Sequence, residues 1–236
     1  HAGHFYDGMA LLGKHYDPAF TIDTLRMMPV FGREQVVAAY TDQIRALADH
    51  VPSIPFLLGE FGIPFDLDGG ASFQSGDYAA QEAALDGFFA ALDRNLISGT
   101  LWNYTPDNRH SSGDGWNGED LSIYSLDGKR GQGDVYDGGR ALSAVVRPYA
   151  MATAGTPLQM SFDRHSREFV FRQRRSSAIA QPTEIFVPRY QYPSGISVEI
   201  SAGTWQLDSA REILLWESPP SEQEESLRIT PQQMPK

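Results

Sequence analysis

The chain has 236 residues, 41% of them hydrophobic and 11% aromatic, the composition of a folded protein with one large core or two smaller ones. Its net charge of −11 sets it against the phosphate backbone of nucleic acids and against anionic membrane surfaces, so nucleic acid is not an expected partner. It has no cysteine, which excludes disulfides, Cys–zinc sites and thiol catalysis. No segment approaches the roughly 18–20 continuous apolar residues of a membrane span. The chain starts on His1 with no leader, reads as the middle of a longer gene product, and leaves the compartment open.

In chain order, three strand–helix units are expected. The first strand ends near His4-Phe5-Tyr6, a long loop follows to Pro29, and a helix runs over 33–49 with Val36, Val37, Tyr40, Ile44, Leu47 and Ala48 on one face. The second opens on the apolar run Pro55-Phe56-Leu57-Leu58-Gly59-Glu60, which suits a parallel strand buried on both faces. A loop through Asp66-Leu67-Asp68-Gly69-Gly70 leads to a helix starting near Asp77 as N-cap and ending near Asn95. The third strand spans 98–104, followed by a Gly-, Asp- and Asn-rich loop to Gly139 and a helix over 140–149.

Beyond Ala150 the periodicity changes to short alternating strands at 158–162, 168–172, 183–187, 197–200 and 212–216, with a shorter candidate at 226–229 and an otherwise mobile polar tail. The expected fold is α/β: the C-terminal part of a (β/α)8 TIM barrel over 1–150, then an all-β antiparallel sandwich domain over 151–236.

The chemistry concentrates where the three strands end. Glu60 terminates an apolar strand and precedes Phe61-Gly62, the C-terminal rim position where barrel enzymes place catalytic groups. The bland alternative is a carboxylate that caps the next loop. His4 and Tyr6 end the preceding strand and Trp102 the following one; each is individually as consistent with packing as with a site, but neighbouring rim positions converge in space. A tyrosine hydroxyl beside a carboxylate can donate to it and aim it, and a tryptophan face suits the apolar face of a sugar. Asp107, Asp114, Glu119 and Asp120 on the long eighth loop could bind sugar hydroxyls or simply be solvated. Asp66-Leu67-Asp68-Gly69 resembles half of a calcium loop without its closing ligands, so no metal is expected.

His4-Phe5-Tyr6, Gly59-Glu60-Phe61-Gly62 and Leu101-Trp102-Asn103-Tyr104, with the loop Asp107-Asn108 through Trp116-Asn117-Gly118-Glu119-Asp120-Leu121-Ser122, resemble glycoside hydrolase family 5, in its endoglycoceramidase-like branch. That resemblance implies a retaining glycosidase with Glu60 as nucleophile, Tyr6 holding it, and His4, Trp102, Asn103 and Asp107 lining the sugar site. It implies no cofactor. It also implies an acid/base glutamate preceded by asparagine; no Asn-Glu pair exists in these residues, so that partner is expected upstream of His1. The substrate implied is a glycolipid, a glycan on ceramide or a sterol; apolar loop residues such as Met9, Leu12, Met27, Met28 and Phe31 could form a lipid-receiving surface in peripheral contact with a membrane, or equally be loop packing. The alternatives are a family 5 glucanase acting on plain β-glucan, and a non-catalytic carbohydrate-binding protein that would use aromatics such as Tyr190, Tyr192 and Trp205.

Overall fold

The computed structural model describes residues 2–50 and 54–232 and divides into two units, His1–Val145 and Val146–Lys236. The division falls a few residues before the expected boundary at 150/151. The last expected helix explains the offset. Ala141 takes a positive φ of 52°, which stops a helix from starting at Arg140, and Pro148 disfavours helix at the residue before it. Only one turn, α5 (Leu142–Val145), survives, and Tyr149 already belongs to a strand.

The first unit is α/β. Its sheet runs in the order β1 (Ala2–Phe5), β4 (Leu57–Phe61), β5 (Ser98–Leu101), all parallel. The crossovers are α2 (Arg33–Asp49) and α4 (Ala79–Asn95). Both helices are amphipathic as their spacing predicts. Val36, Tyr40 and Ile44 of α2 and Ala84, Leu85, Phe88 and Leu92 of α4 are buried in one cluster with Phe5, Leu58 and Phe61 of the sheet. Phe5, Tyr40 and Phe88 form a mutual aromatic contact with centroids 5.1–5.6 Å apart. The helix α4 begins at Ala79; Asp77 accepts from the Ala79 amide at 2.9 Å and forms a turn ahead of the helix instead of capping it.

Two loops carry more structure than expected. The segment before α2 holds α1 (Gly8–Gly13) and an antiparallel hairpin of β2 (Phe20–Asp23) and β3 (Met28–Phe31). The Asp66–Gly70 stretch opens α3 (Leu67–Ser75), whose residues 68–70 all have positive φ. Asp66 pairs with Lys14 at 2.9 Å and Asp68 with His15 at 2.7 Å, so these acids tie two loops together.

The second unit consists of two antiparallel four-stranded sheets, a β-sandwich-like region. One is ordered β10 (Ile196–Ile200), β13 (Glu224–Pro231), β8 (Glu168–Arg175), β7 (Gly155–Asp163). The other is ordered β11 (Thr204–Asp208), β12 (Ile213–Glu217), β9 (Thr183–Phe186), β6 (Tyr149–Ala152). Alternating residues of both sheets, among them Phe169, Phe171, Ile185, Leu214, Trp216 and Leu227, share one core. The strands β6 and β11 add to the expected set. The short strand expected at 226–229 is present and runs further at both ends, as β13, where a mobile tail was expected; it is paired on both sides, and Gln233 onward lies outside the described residues. Tyr192 is buried in this core, while Tyr190 and Trp205 are exposed. Arg175, at the end of β8, is buried and donates to the Ala154 and Ser176 carbonyls. Arg172 and Arg174 both reach Glu224.

Candidate active site

The aim of Glu60 comes from a break in strand alternation. Between Leu58 and Glu60, β4 takes two steps where β1 takes one, Gly3 to His4. Between Leu58 and Phe61 it takes three steps where β5 takes two, Gly99 to Leu101. β4 therefore carries one extra residue relative to both neighbours, a bulge at Gly59-Glu60. Leu58 and Phe61, three apart, are both fully buried on the helix-covered face, which strict alternation forbids. The bulge releases Glu60 from that face, and its side chain is left about one-quarter exposed.

The register then sets its neighbours. His4 lies opposite Glu60 on β1, and Tyr6 is two residues further along the same chain. The Tyr6 hydroxyl donates to Glu60 Oε1 at 2.7 Å, and His4 Nδ1 stands 3.6 Å from the same oxygen. Oε2 carries neither contact. Burial, then the hydrogen bond to Glu60, then the charges of Glu60 and Glu119 push the Tyr6 phenol well above its ordinary range, so it stays a neutral donor.

Asp7, next in the chain, fixes Tyr6 from behind. It is buried, caps α1 by accepting from the Ala10 amide at 2.9 Å, and takes hydroxyl donors from Thr21 and Tyr40 at 2.6 Å each. On the other side, the Trp102 amide donates to Phe61 O at 2.8 Å, which seats Trp102 beside the strand end that bears Glu60. Gly62 makes that approach possible: a Cβ there would fall 2.2 Å from Trp102 O.

Of the expected site residues, Tyr6 and His4 both reach Glu60, and Trp102 lies beside the next residues of that strand end, Phe61 and Gly62. Asn103 is turned into the eighth loop. Its amide donates to Asp114 Oδ2 at 3.3 Å, and its backbone is threaded between Leu121 and Ile123. Asp107 is exposed on that loop, with no contact to Glu60 among the described residues.

The network that holds the eighth loop was not anticipated. Asn108, fully buried, donates to Asp114 at 2.9 Å and to Asp120 at 3.0 Å. Asp120 is bound by both terminal nitrogens of Arg140, at 3.2 and 2.5 Å, and the guanidinium lies 4.1 Å over the Phe65 ring. Asp114 and Asp120, weighed as sugar ligands, are thus occupied internally. A faint sequence cue existed: Asn108 and Arg140 bracket a loop with too few apolar residues to pack by itself. Arg140→Met in the intact protein is expected to cost about 3–5 kcal/mol of stability, because Asp120 would be left buried and unpaired. Urea unfolding checks this, and a loss below about 1 kcal/mol would show that the pair is not needed.

An α/β unit with a rim carboxylate clamped by a phenol, followed by a β-sandwich-like unit, is the class these features define. Residues 147–230 match the glycoside hydrolase family 5 C-terminal domain. The chain is 34% identical over 226 residues to a glucosylceramidase of Rhizopus delemar, covering 85% of this chain and 33% of that protein. Sterylglucosidase 1 of Cryptococcus neoformans superposes with a TM-score of 0.88 at 28% identity, over 97% of this chain and 38% of that one. Endo-glycoceramidase II from Rhodococcus sp., at 18% identity and TM-score 0.64 over 98% of this chain and 42% of that one, shares the fold. The chain spans about a third of the length of the curated relatives it matches. The resemblance to glycoside hydrolase family 5, endoglycoceramidase-like, is borne out, and the C-terminal unit carries that family's C-terminal domain.

Proposed function

We propose that this chain supplies the last three βα units of a (β/α)8 barrel and the attached sandwich of a retaining glycosidase that cleaves a sugar from a lipid aglycone, with Glu60 as nucleophile. The observation that carries the reading is the 2.7 Å hydrogen bond from Tyr6 to Glu60 Oε1 at converging parallel strand ends. It leaves Oε2 to attack the anomeric carbon and form a glycosyl ester. A second carboxyl about 5–5.5 Å away, from residues of the intact protein beyond these 236, protonates the leaving oxygen and then activates water. Trp102 offers its face to the sugar ring and His4 its ring nitrogen to a hydroxyl.

The lipid aglycone is supported by the names of the relatives, a glucosylceramidase and a sterylglucosidase. It is also supported by an apolar surface around α1 and the β2–β3 hairpin, where Leu12, Met27 and Phe31 are 85%, 79% and 69% exposed. That surface suits contact with a bilayer in which the substrate is embedded.

The intact protein should hydrolyse glucosylceramide or a steryl glucoside with kcat/KM above that for cellobioside. A 2-deoxy-2-fluoro-glucoside should label the peptide containing Glu60, read by mass spectrometry. Turnover of cellobioside alone would replace the lipid reading with a glucanase, and a label on another carboxylate would remove Glu60 from the role.

A further inference from the structure

The acids of the eighth loop are almost all engaged in holding it. Asp114 and Asp120 serve Asn103, Asn108 and Arg140; Asp127 takes Arg109 and the His110 amide; Asp137 takes the three successive amides of residues 130–132. Asp107, out in solvent, and Glu119 are the exceptions, and Glu119 is the one of the two that is not exposed. Its side chain has no hydrogen-bond or ion-pair partner among the described residues, yet it is half-buried.

Its backbone, by contrast, is fixed. The Glu119 amide donates to Trp116 O at 2.9 Å, and its carbonyl accepts from Asp114 at 2.8 Å. Gly113 gives that turn room, since a Cβ there would strike Glu119 O. The next residues bind the Glu60 side of the unit: Asp120 O accepts from the Phe65 amide at 2.7 Å, and Leu121 packs at the Gly62 position. Glu119 is thereby held at the strand-end rim. Its charge is felt by the Tyr6 hydroxyl, which it helps to hold in the neutral form. Trp116, in the same turn, is 63% exposed. A half-buried carboxylate without donors, beside an exposed indole, lacks what a sugar brings: hydroxyl donors on a ring with an apolar face.

We infer that Glu119 is a substrate-binding carboxylate that accepts hydroxyl donors from the glycosyl ring, on the side remote from the anomeric carbon, and so selects the sugar. This rests on the glycosidase reading above. Glu60 occupies the C1 end of the ring, so the hydroxyls left for Glu119 are those at C3, C4 or C6. The negative charge favours uncharged sugars and disfavours acidic ones such as uronic acids at this subsite.

The test uses the intact protein and its Glu119→Gln, Glu119→Asp and Glu60→Gln variants. Each is assayed on 4-methylumbelliferyl β-glucoside, on its 3-, 4- and 6-deoxy forms, and on the glucuronide. Glu119→Gln should lower kcat/KM on the glucoside by about 10- to 100-fold, the effect of a lost charged hydrogen bond. On one deoxy form the loss should shrink to threefold or less, because the partner hydroxyl is already gone, and the preference against the glucuronide should relax. Glu119→Asp, which keeps the charge on a shorter arm, should fall between. A residue that only tuned Tyr6 or braced the loop would depress all substrates equally. An equal loss across the deoxy series, or no loss, overturns the inference while a dead Glu60→Gln leaves the glycosidase reading standing. Absence of wild-type turnover on every glucoside overturns the glycosidase reading itself, and full activity in Glu60→Gln removes Glu60 from the nucleophile role.

Discussion

Glu60→Gln in the intact protein is expected to lower kcat by on the order of 10⁴-fold or more, with folding unchanged. The amide is isosteric and still accepts the Tyr6 hydroxyl, so the 2.7 Å contact can persist. It has no charge and is a poor nucleophile, so the glycosyl ester does not form. The side chain is part-exposed and sits outside the helix-covered core, so the exchange should leave the melting temperature close to that of the wild type. Glu60→Ala adds a sharper readout. An external nucleophile such as azide can enter the space left by the carboxylate, restore part of the rate, and yield the glycosyl azide of inverted configuration. Retention of rate in Glu60→Gln, or a rescued product of unchanged configuration, would place the nucleophile elsewhere.

Tyr6→Phe is expected to reduce kcat by about 10²-fold with KM changed little, the effect of removing one preorganised donor. Among the described residues the phenol bonds only Glu60, and Asp7, next in the chain, is held independently by Ala10, Thr21 and Tyr40. Deleting the hydroxyl therefore loosens one carboxylate oxygen without unlocking the backbone. Because the phenol is pushed above its usual range, it remains a neutral donor across the pH range of ordinary assays. Any alkaline loss of wild-type rate must come from another group and should persist in Tyr6→Phe. A variant that matches wild-type kcat would mean that His4 or the strand geometry alone aims Glu60.

How far the sequence could be read differs from segment to segment. The helix over 33–49 was legible to its ends, because apolar residues at helical spacing occupy one face of it. The convergence of His4, Tyr6, Glu60 and Trp102 was legible because parallel strands bring their ends together whatever lies between. What periodicity could not supply was the bulge at Gly59, since an extra residue is defined only against the partner strands. The one cue is the glycine itself, set inside an apolar run just before a carboxylate. The hairpin of β2 and β3 was hidden by Pro29 in its second strand, and β11 by its short alternation directly after the Ala202-Gly203 turn. Arg140 was placed in a helix because its neighbours are helix formers, whereas its buried partner Asp120 lies 20 residues away and leaves no local trace.

The bonds among Asn103, Asn108, Asp114, Asp120 and Arg140 have a kinetic side. They staple a segment of low apolar content at both ends and through its middle, so its amides should be among the slowest-exchanging of any loop in the unit. Such a segment is a fixed wall and not a moving flap. On the proposed lipid-aglycone reading, the breathing that admits the substrate falls to the apolar hairpin of β2 and β3, and differences in aglycone preference between relatives should be written there.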